Sequence, residues 1–177
     1  NYVMIISSTA GLWRYNLGDT IQFTSTSPYR IIVSGRIKHF ISAFGEHVIV
    51  SEVEYCLKEA IDLDSSKVGV REFSVAPRIE TELGLPYHEW FIEFENAPEN
   101  ILDVANKIEK SMQEQNSYYY DLISGNVLQP LKISVVRTNG FQDYMKSIGK
   151  LGGQNKIPRL ANDRKVADSL YALKLLK

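Results

Sequence analysis

The sequence predicts an α+β fold, with a small mixed β-sheet flanked by helices and a short β-rich stretch before it. Short runs of β-branched and aromatic residues dominate positions 1–50. Apolar residues at helical spacing first appear after position 50, and strand-like and helix-like segments are then intermixed. Because 44% of the 177 residues are hydrophobic, the chain can bury a core of its own.

The first 50 residues are typical of a small sheet. Strand-like runs lie at 12–15, 20–23 and 30–33, and turns are expected at Gly18-Asp19 and at 25–28. The chain also enters strand-like sequence directly after Asn1, without an initiator methionine. We therefore expect a piece of a longer protein.

The first helix is expected to begin at Ser51, because Ser51 and Glu54 have the spacing of a capping box. Apolar residues at 53, 56, 57, 60 and 61 give this helix one buried face. Strands are expected at 68–76 and 88–94, separated by a polar loop at 77–86.

The second helix is expected to run from near Pro98 to Asn116, because proline suits the first position of a helix. The prediction is completed by a strand at 131–136, a short helix at 141–148 and a helical tail from 162 or 163. The apolar side of this tail carries residues 166, 167, 170 and 173. Trp90 and the tyrosines at 118–120 are interpreted as core residues.

Charge and cysteine content exclude several classes of function. With a net charge of -1, the chain has no overall field that would attract nucleic acid or an anionic membrane. A single cysteine, Cys56, excludes an intramolecular disulfide and a multi-cysteine zinc site, and it favours a reducing compartment. No apolar run approaches the ~20 residues that span a bilayer. We therefore expect a cytoplasmic protein. We assign it no metal-ligating residues.

Three segments differ from ordinary packing sequence, and the first is 11–19. An aromatic strand there runs into Gly18-Asp19, which presents a carboxylate. An ionised carboxylate accepts two hydrogen bonds at once, which suits the adjacent hydroxyls of a ribose. Taken alone, the pair is more typical of a plain turn.

The second segment, 35–48, contains Arg36 and Lys38 just after a glycine, followed by Gly45-Glu46 at the entrance to the first helix. Two cations beside a flexible glycine could bind an anion while the backbone pivots. A charged β-hairpin is the alternative interpretation.

The third segment, 149–160, places Lys150, Lys156 and Arg159 among glycines, within a tail that is positively charged. Glycines permit close approach of the backbone, and cations on such a loop suit a phosphate-bearing transition state. A solvated basic surface is the alternative interpretation.

Together, the order and spacing of these segments resemble the adenylate-forming superfamily of acyl ligases. Within it, the chain is similar to the C-terminal portion of the acyl-acid amido synthetases, the auxin-responsive Gretchen Hagen family of plants, and especially to the bacterial branch. The likeness also includes Leu-Gln-Pro-Leu-Lys-Ile at 128–133, Gly-Phe-x-x-Tyr-Met at 140–145 and Gly-Gln-x-Lys-x-Pro-Arg at 153–159, which is the most specific motif.

The resemblance implies a two-step ligase, with the end of its large N-terminal domain at 1–36 and its C-terminal lid domain at 37–177. ATP, accompanied by magnesium, activates a carboxylic acid as an acyl-adenylate, and the amine of an amino acid then attacks it. By position, Asp19 would hold the ribose hydroxyls, Arg36 would lie beside the nucleotide, and Lys38 would be the hinge. Lys156 would neutralise negative charge during adenylation, with Lys150 as the competing candidate.

Other interpretations stay open at this stage. An acyl-CoA ligase would share the adenylation step, and a non-catalytic interaction module could keep the fold alone. His47 stands where plant members have lysine, so a phosphate contact there could be missing. No Ser/Thr-rich glycine loop for phosphate and no acyl pocket is recognised in the 177 residues, so ATP and magnesium would be bound mainly by a preceding N-terminal domain. We therefore expect this chain alone to be inactive and to pack on that domain.

Overall fold

A computed structural model describes residues 2–36, 40–62, 68–79, 84–150, 152 and 155–177 of the chain. The predicted α+β class is confirmed. A three-stranded antiparallel sheet at the N-terminus is followed by a two-stranded hairpin and by a second three-stranded sheet that packs against helices.

The N-terminal sheet consists of β1 (Tyr2–Ile6), β2 (Tyr15–Thr26) and β3 (Tyr29–Arg36), in that order. The predicted turn at 25–28 is confirmed in position, because β2 and β3 join at Ser27 and Pro28. The strand expected at 12–15 is wrong over its first three residues, since β2 begins only at Tyr15.

The turn predicted at Gly18-Asp19 is wrong, because both residues lie inside β2. Asn16 pairs with Ile5 and Thr20 pairs with Val3, so β2 holds two more residues than β1 over this stretch. Gly18 absorbs the excess with a φ of +80°, a conformation that residues with a side chain rarely adopt. The pair therefore forms a bulge rather than ending the strand.

A short hairpin of β4 (Phe40–Ile41) and β5 (Val48–Ile49) leads into α1 (Val50–Asp62). The helix begins one residue before the predicted start. Glu52 Oε2 accepts a hydrogen bond from Ile49 N at 2.9 Å. Glu52 therefore caps the helix, instead of the expected pair Ser51 and Glu54. The predicted apolar face is confirmed at 53, 56, 57 and 60.

The second sheet has the order β6 (Gly69–Arg78), β7 (Tyr87–Asn96), β8 (Lys132–Val136). Strand β7 is antiparallel to β6 and parallel to β8, and the crossover contains α2 (Ile101–Gln115) and α3 (Ser117–Ser124). Helix α2 begins after Asn100 rather than near Pro98, because the Asn100 side chain accepts a hydrogen bond from Leu102 N and caps the helix. Helices α4 (Gly140–Ser147) and α5 (Lys165–Ala172) follow β8.

Strand β7 is buried on both faces. Trp90 and Ile92 belong to a core with α1, α2 and α3, whereas Phe91 belongs to a second core with α4 and α5. Glu89 and Glu93, on the Phe91 face, are only 2% and 1% exposed. Trp90 is a core residue, as predicted.

Two other core predictions are wrong. Among the three tyrosines only Tyr119 is buried, because they lie on a helix, where successive residues point in different directions. Tyr118 and Tyr120 are exposed. Leu173 is also exposed, since α5 ends at Ala172.

Segments of the chain itself line parts of both outer edges of the second sheet. Along β6, Val75 N donates to Arg159 O at 2.9 Å, and Ala161 N donates to Val75 O at 3.0 Å. Along β8, Lys177 N donates to Val135 O at 2.9 Å, and Leu176 forms an antiparallel bridge with Val136. Within the described residues, no helix is both long enough and apolar enough to cross a bilayer.

Burial raises the pKa of the Cys56 thiol to about 11. Because the thiolate is the reactive form, we expect Cys56 in the native chain to react with a thiol reagent at pH 8 at least about two orders of magnitude more slowly than an exposed cysteine. Labelling kinetics monitored by mass spectrometry measure this. The control is Lys110→Cys, a substitution on the exposed side of α2. Equal rates at the two positions would contradict the buried placement.

Candidate active site

Two of the predicted nucleotide-binding positions, Asp19 and Arg36, are directly opposite each other in the sheet. They are Cα partners in the antiparallel register of β2 and β3. Next to them, Thr20 pairs with Gly35 and Ile21 pairs with Val33, so Ser34 is an extra residue in β3. Bulges of this kind often lie beside functional sites, where they change the direction of a side chain. Lys38, the predicted hinge, lies outside the described residues.

The two candidate catalytic lysines, Lys150 and Lys156, line the same cleft. This cleft has a volume of about 490 Å³ and lies between β6, α4 and the loop 155–157. We call it the lysine cleft; its other lining residues are Arg71, Glu72, Glu93, Asn139, Phe141, Gln142, Met145, Gly152, Asn155 and Ile157. Asp19 is not among the described residues that line it.

The backbone at Lys150 is fixed by the end of α4. Gly149 N donates to Lys146 O at 3.0 Å, and Lys150 N donates to Met145 O at 2.9 Å. Gly149 has a φ of +68°, so this is the hydrogen-bond pattern with which a left-handed glycine ends a helix. The glycine that the sequence had suggested for close backbone approach thus terminates α4.

The start of α4 is held by the buried carboxylate of Glu93. Its Oε1 accepts a hydrogen bond from Asn139 N at 2.8 Å, and its Oε2 accepts one from Phe141 N at 3.3 Å. A negative charge at this end of a helix is favourable, because the free N–H groups point toward it. Arg71 Nη1 lies 3.7 Å from Glu93 Oε1 and supplies a compensating positive charge.

Arg159 fastens the segment that carries Lys156. Its Nη1 lies 2.7 Å from Glu72 Oε1, and its guanidinium lies 4.5 Å from the centre of the Phe73 ring. The backbone beside it is bound as well, since Ser74 Oγ donates to Pro158 O at 2.7 Å. In the Asn-Lys-Ile-Pro-Arg motif, the arginine therefore anchors the loop and the lysine lines the cleft.

The charge of the lysine cleft is not balanced. Glu72 is paired with Arg159, and Glu93 is engaged by α4 and by Arg71. Neither lysine forms an ion pair with another residue in the part of the chain that the structure describes. Both side chains are exposed, so the cleft offers two ammonium groups to an anion.

The Gly45-Glu46 segment, predicted as a turn before the first helix, packs against β7. Glu46 Oε1 lies 2.8 Å from His88 Nε2, and both side chains are buried. Phe44 N donates to Glu46 Oε2 at 2.8 Å. Burial by itself would raise the pKa of Glu46, but the hydrogen bond and charge of His88, with the backbone N–H groups, hold that pKa below its ordinary value.

Comparison with known family models tests the resemblance that these motifs indicated. The model of the GH3 family C-terminal domain matches residues 47–165, and that of the GH3 family central domain matches residues 1–36. The chain belongs to the GH3 family. This confirms the resemblance to the acyl-acid amido synthetase family that the sequence motifs indicated. No curated protein matches the chain.

Solved GH3 structures share the fold. A GH3.15 acyl acid amido synthetase superposes with a TM-score of 0.77 at 19% identity, covering 99% of this chain and 34% of its own. AtGH3.15 acyl acid amido synthetase in complex with 2,4-DB gives a TM-score of 0.75 at 19% identity, covering 99% of this chain and 32% of its own. The GH3 chain described here thus spans about a third of the length of these solved enzymes.

Sequence reasoning missed the residues that support the candidate site. Arg71, Glu93 and His88 were each assigned to strands without a further role, although all three make polar contacts to other elements. One signal was available: β7 contains a histidine and several glutamates among large apolar residues. In a strand covered on both faces, such polar residues must find partners.

Glu46→Gln is expected to lower the free energy of unfolding by about 3 kcal/mol at pH 7, because it replaces a buried carboxylate that accepts a hydrogen bond from Phe44 N and lies 2.8 Å from His88 Nε2. Chemical denaturation of both proteins measures this. The matched control is Glu99→Gln, which changes an exposed residue before α2 and should shift stability by less than about 0.5 kcal/mol.

The same pair predicts a pH dependence with a defined sign. Since the pKa of Glu46 is lower in the folded chain, its ionic contribution is complete above the ordinary carboxyl pKa of about 4.3 and is lost as pH falls through the lower folded value. The stability difference between wild type and Glu46→Gln should therefore shrink on acidification below about pH 4. A difference that grows there would contradict the assignment.

Proposed function

We propose that this GH3 chain forms the C-terminal part of an ATP-dependent acyl-acid amido synthetase, with a carboxylic acid and an amino acid as its substrates. The observation that carries the proposal is the lysine cleft: in a chain of this family, both motif lysines line one cleft and present charge that no described residue neutralises. Such a surface is suited to a reaction in which negative charge develops on phosphate oxygens.

In the first step, an oxygen of the substrate carboxylate attacks the α-phosphorus of ATP, the bond to the bridging oxygen breaks, and pyrophosphate leaves. The product is a mixed anhydride, the acyl-adenylate. Lys156 acts here by placing a compact positive charge between the carboxylate and the phosphate, which otherwise repel each other. Lys150, on the same cleft, is the other candidate for this role.

In the second step, the amine attacks the carbonyl carbon of the anhydride, the carbon–oxygen bond breaks, and AMP leaves with that electron pair. The nitrogen releases one proton to solvent as the amide forms. Asp19 would hold the ribose hydroxyls through both steps, because a carboxylate accepts two hydrogen bonds. Its partner in the register, Arg36, would lie beside the nucleotide. We place the domain boundary after residue 36, with Lys38 as the hinge on which the C-terminal domain turns between the steps.

We expect ATP and magnesium to be held mainly by an N-terminal domain, on which residues 37–177 would pack. Within the described residues, no group of three or more acidic, histidine or cysteine side chains is placed to hold a metal ion. The residues described here therefore do not fit a complete magnesium site, and we assign the ion no step on this chain.

The experiment is acid-dependent exchange of labelled pyrophosphate into ATP, measured on the gene-length protein that contains this chain. Lys156→Ala should lower the exchange rate by about 10²-fold or more while the affinity for ATP changes little, because the lysine acts mainly in the transition state. Lys110→Ala, on the exposed side of α2, is the matched control and should leave the rate unchanged. Near-normal exchange in Lys156→Ala, with Lys150→Ala inactive, would transfer the role to Lys150.

The acceptor is tested separately. The same protein is supplied with acid, ATP and either a mixture of amino acids or coenzyme A, and products are identified by mass spectrometry. An amide product supports the proposal, and a thioester product would replace it with an acyl-CoA ligase. Absence of both, with no pyrophosphate exchange, would favour a non-catalytic module. The 177-residue chain alone should give no exchange.

A further inference from the structure

We propose that a second cavity, between β8, the start of α2 and the end of α5, binds a small amphipathic acid that carries an apolar chain, an amide N–H and a carboxylate. The cavity has a volume of about 620 Å³, and its lining includes Ile101 of α2, residues 133–135 of β8 and several residues at 170–177. Sites for small molecules typically measure about 300–1,000 Å³. We call it the β8 cavity; it shares no described lining residue with the lysine cleft.

Much of the lining of the β8 cavity is apolar and held by the rest of the fold. Ile101, Ile133, Val135, Leu170 and Leu176 all line it. Ile133 and Val135 also pack against the core that contains Trp90, and Leu176 packs against the core that contains Phe91. An apolar chain that enters the cavity would therefore replace water on a surface that is already formed, which is favourable.

Two hydroxyl groups that line the β8 cavity are fixed by one buried carboxylate. Ser134 Oγ donates to Glu89 Oε1 at 2.7 Å, and Tyr171 Oη donates to the same oxygen. Glu89 is held in turn by Arg164 Nη2 at 2.8 Å. Because a hydroxyl has a single proton, both groups can only accept a hydrogen bond from a ligand. This part of the cavity is therefore suited to an N–H donor such as an amide.

The charge at the β8 cavity is positive. Lys174 and Lys177 both line it, and no carboxylate side chain is among its described lining residues. Both lysines are exposed, and neither side chain forms an ion pair with another residue that the structure describes. An acid whose apolar chain enters the cavity can thus place its carboxylate against an ammonium group, whereas an amine would be repelled.

Lys174 occupies a backbone position for which glycine is better suited. Helix α5 ends in a Schellman motif, in which Lys174 N donates to Tyr171 O at 3.0 Å and Leu175 N donates to Leu170 O at 2.9 Å. Lys174 has a φ of +54°, in the left-handed region that is unfavourable for a residue with a side chain. The end of the helix does not require a lysine here, and a carboxylate in the cavity gives its side chain a role.

This inference goes beyond the proposed function, because it depends only on the contacts around the β8 cavity. Amides of the kind formed in the proposed reaction belong to the same class of compound. The cavity would bind such an amide away from the lysine cleft, on the opposite side of the chemistry assigned to Lys150 and Lys156.

The test is titration of the 177-residue chain with N-octanoylglycine, followed by calorimetry and by amide chemical shifts. We expect one saturable site, with the largest shifts at 133–135 and 170–177. Two matched probes separate the contacts: octanoyloxyacetate replaces the N–H with an ester oxygen, and N-octanoylglycinamide removes the negative charge. Each should bind about tenfold more weakly than N-octanoylglycine.

Variants at the cavity test the same contacts from the side of the protein. Lys174→Gly should weaken binding of N-octanoylglycine by about fivefold or more, while the melting temperature stays the same or rises, because glycine suits the left-handed backbone. Ala97→Trp adds bulk at an exposed lining residue and should weaken binding by about tenfold or more. The matched control, Lys110→Gln on the exposed side of α2, should leave the affinity unchanged.

Several results would overturn the proposal: no saturable site, shifts confined to other parts of the chain, or equal affinity for the three probes. So would a Lys174→Gly variant with a lower melting temperature and unchanged affinity, because a lysine that only stabilises the end of α5 would behave in this way. Thermal unfolding of Ala97→Trp shows whether that variant is folded. Since no chemical step is measured, failure of amide synthesis in the gene-length protein leaves this result unaffected, and the reverse also holds.

Discussion

The second sheet depends on the burial of β7 from both sides. Where both of its faces are covered, β7 excludes water from its polar side chains, and a buried polar group without a partner is costly. His88 Nδ1 and Trp90 Nε1 find no hydrogen-bond partner among the described residues, but the buried carboxylates and His88 Nε2 do. His88 pairs with Glu46 in front of α1, Glu89 accepts hydrogen bonds from Ser134, Arg164 and Tyr171, and Glu93 binds the start of α4. The same strand thereby fixes the position of the segment before α1, of α5 and of α4.

The candidate site follows from this constraint. Glu93 sets where α4 begins, the hydrogen bonds around Gly149 set where it ends, and Lys150 is the next residue of the chain. On the opposite wall, Arg159 pairs with Glu72 and covers Phe73, both on β6. The cations in the cleft are thus positioned by carboxylates and backbone groups that are themselves satisfied, which leaves the lysine charges for a ligand.

The sequence predicted the elements of the fold better than their ends and their exposure. Periodicity identified α1, α2, α4 and α5 and the strands β6 through β8, because the apolar face of each is visible in its own segment. It did not identify α3, the helix that carries the three tyrosines. It predicted a turn at Gly18-Asp19. These residues form a bulge instead, and the two extra residues of β2 can be recognised only when β1 is paired with β2. It also did not reveal that both faces of β7 are buried, since nothing local shows that α4 and α5, far along the chain, cover one of them.

The covered edges of the second sheet also bear on solubility. An unpaired strand edge is a template for another copy of the same chain, and folded proteins usually obstruct it. Here Arg159 and Ala161 occupy part of the β6 edge, and the final residues Leu175–Lys177 bind along β8. Those three residues therefore protect the β8 edge from self-association. A chain truncated before Leu175 would expose this strand edge to other copies of itself.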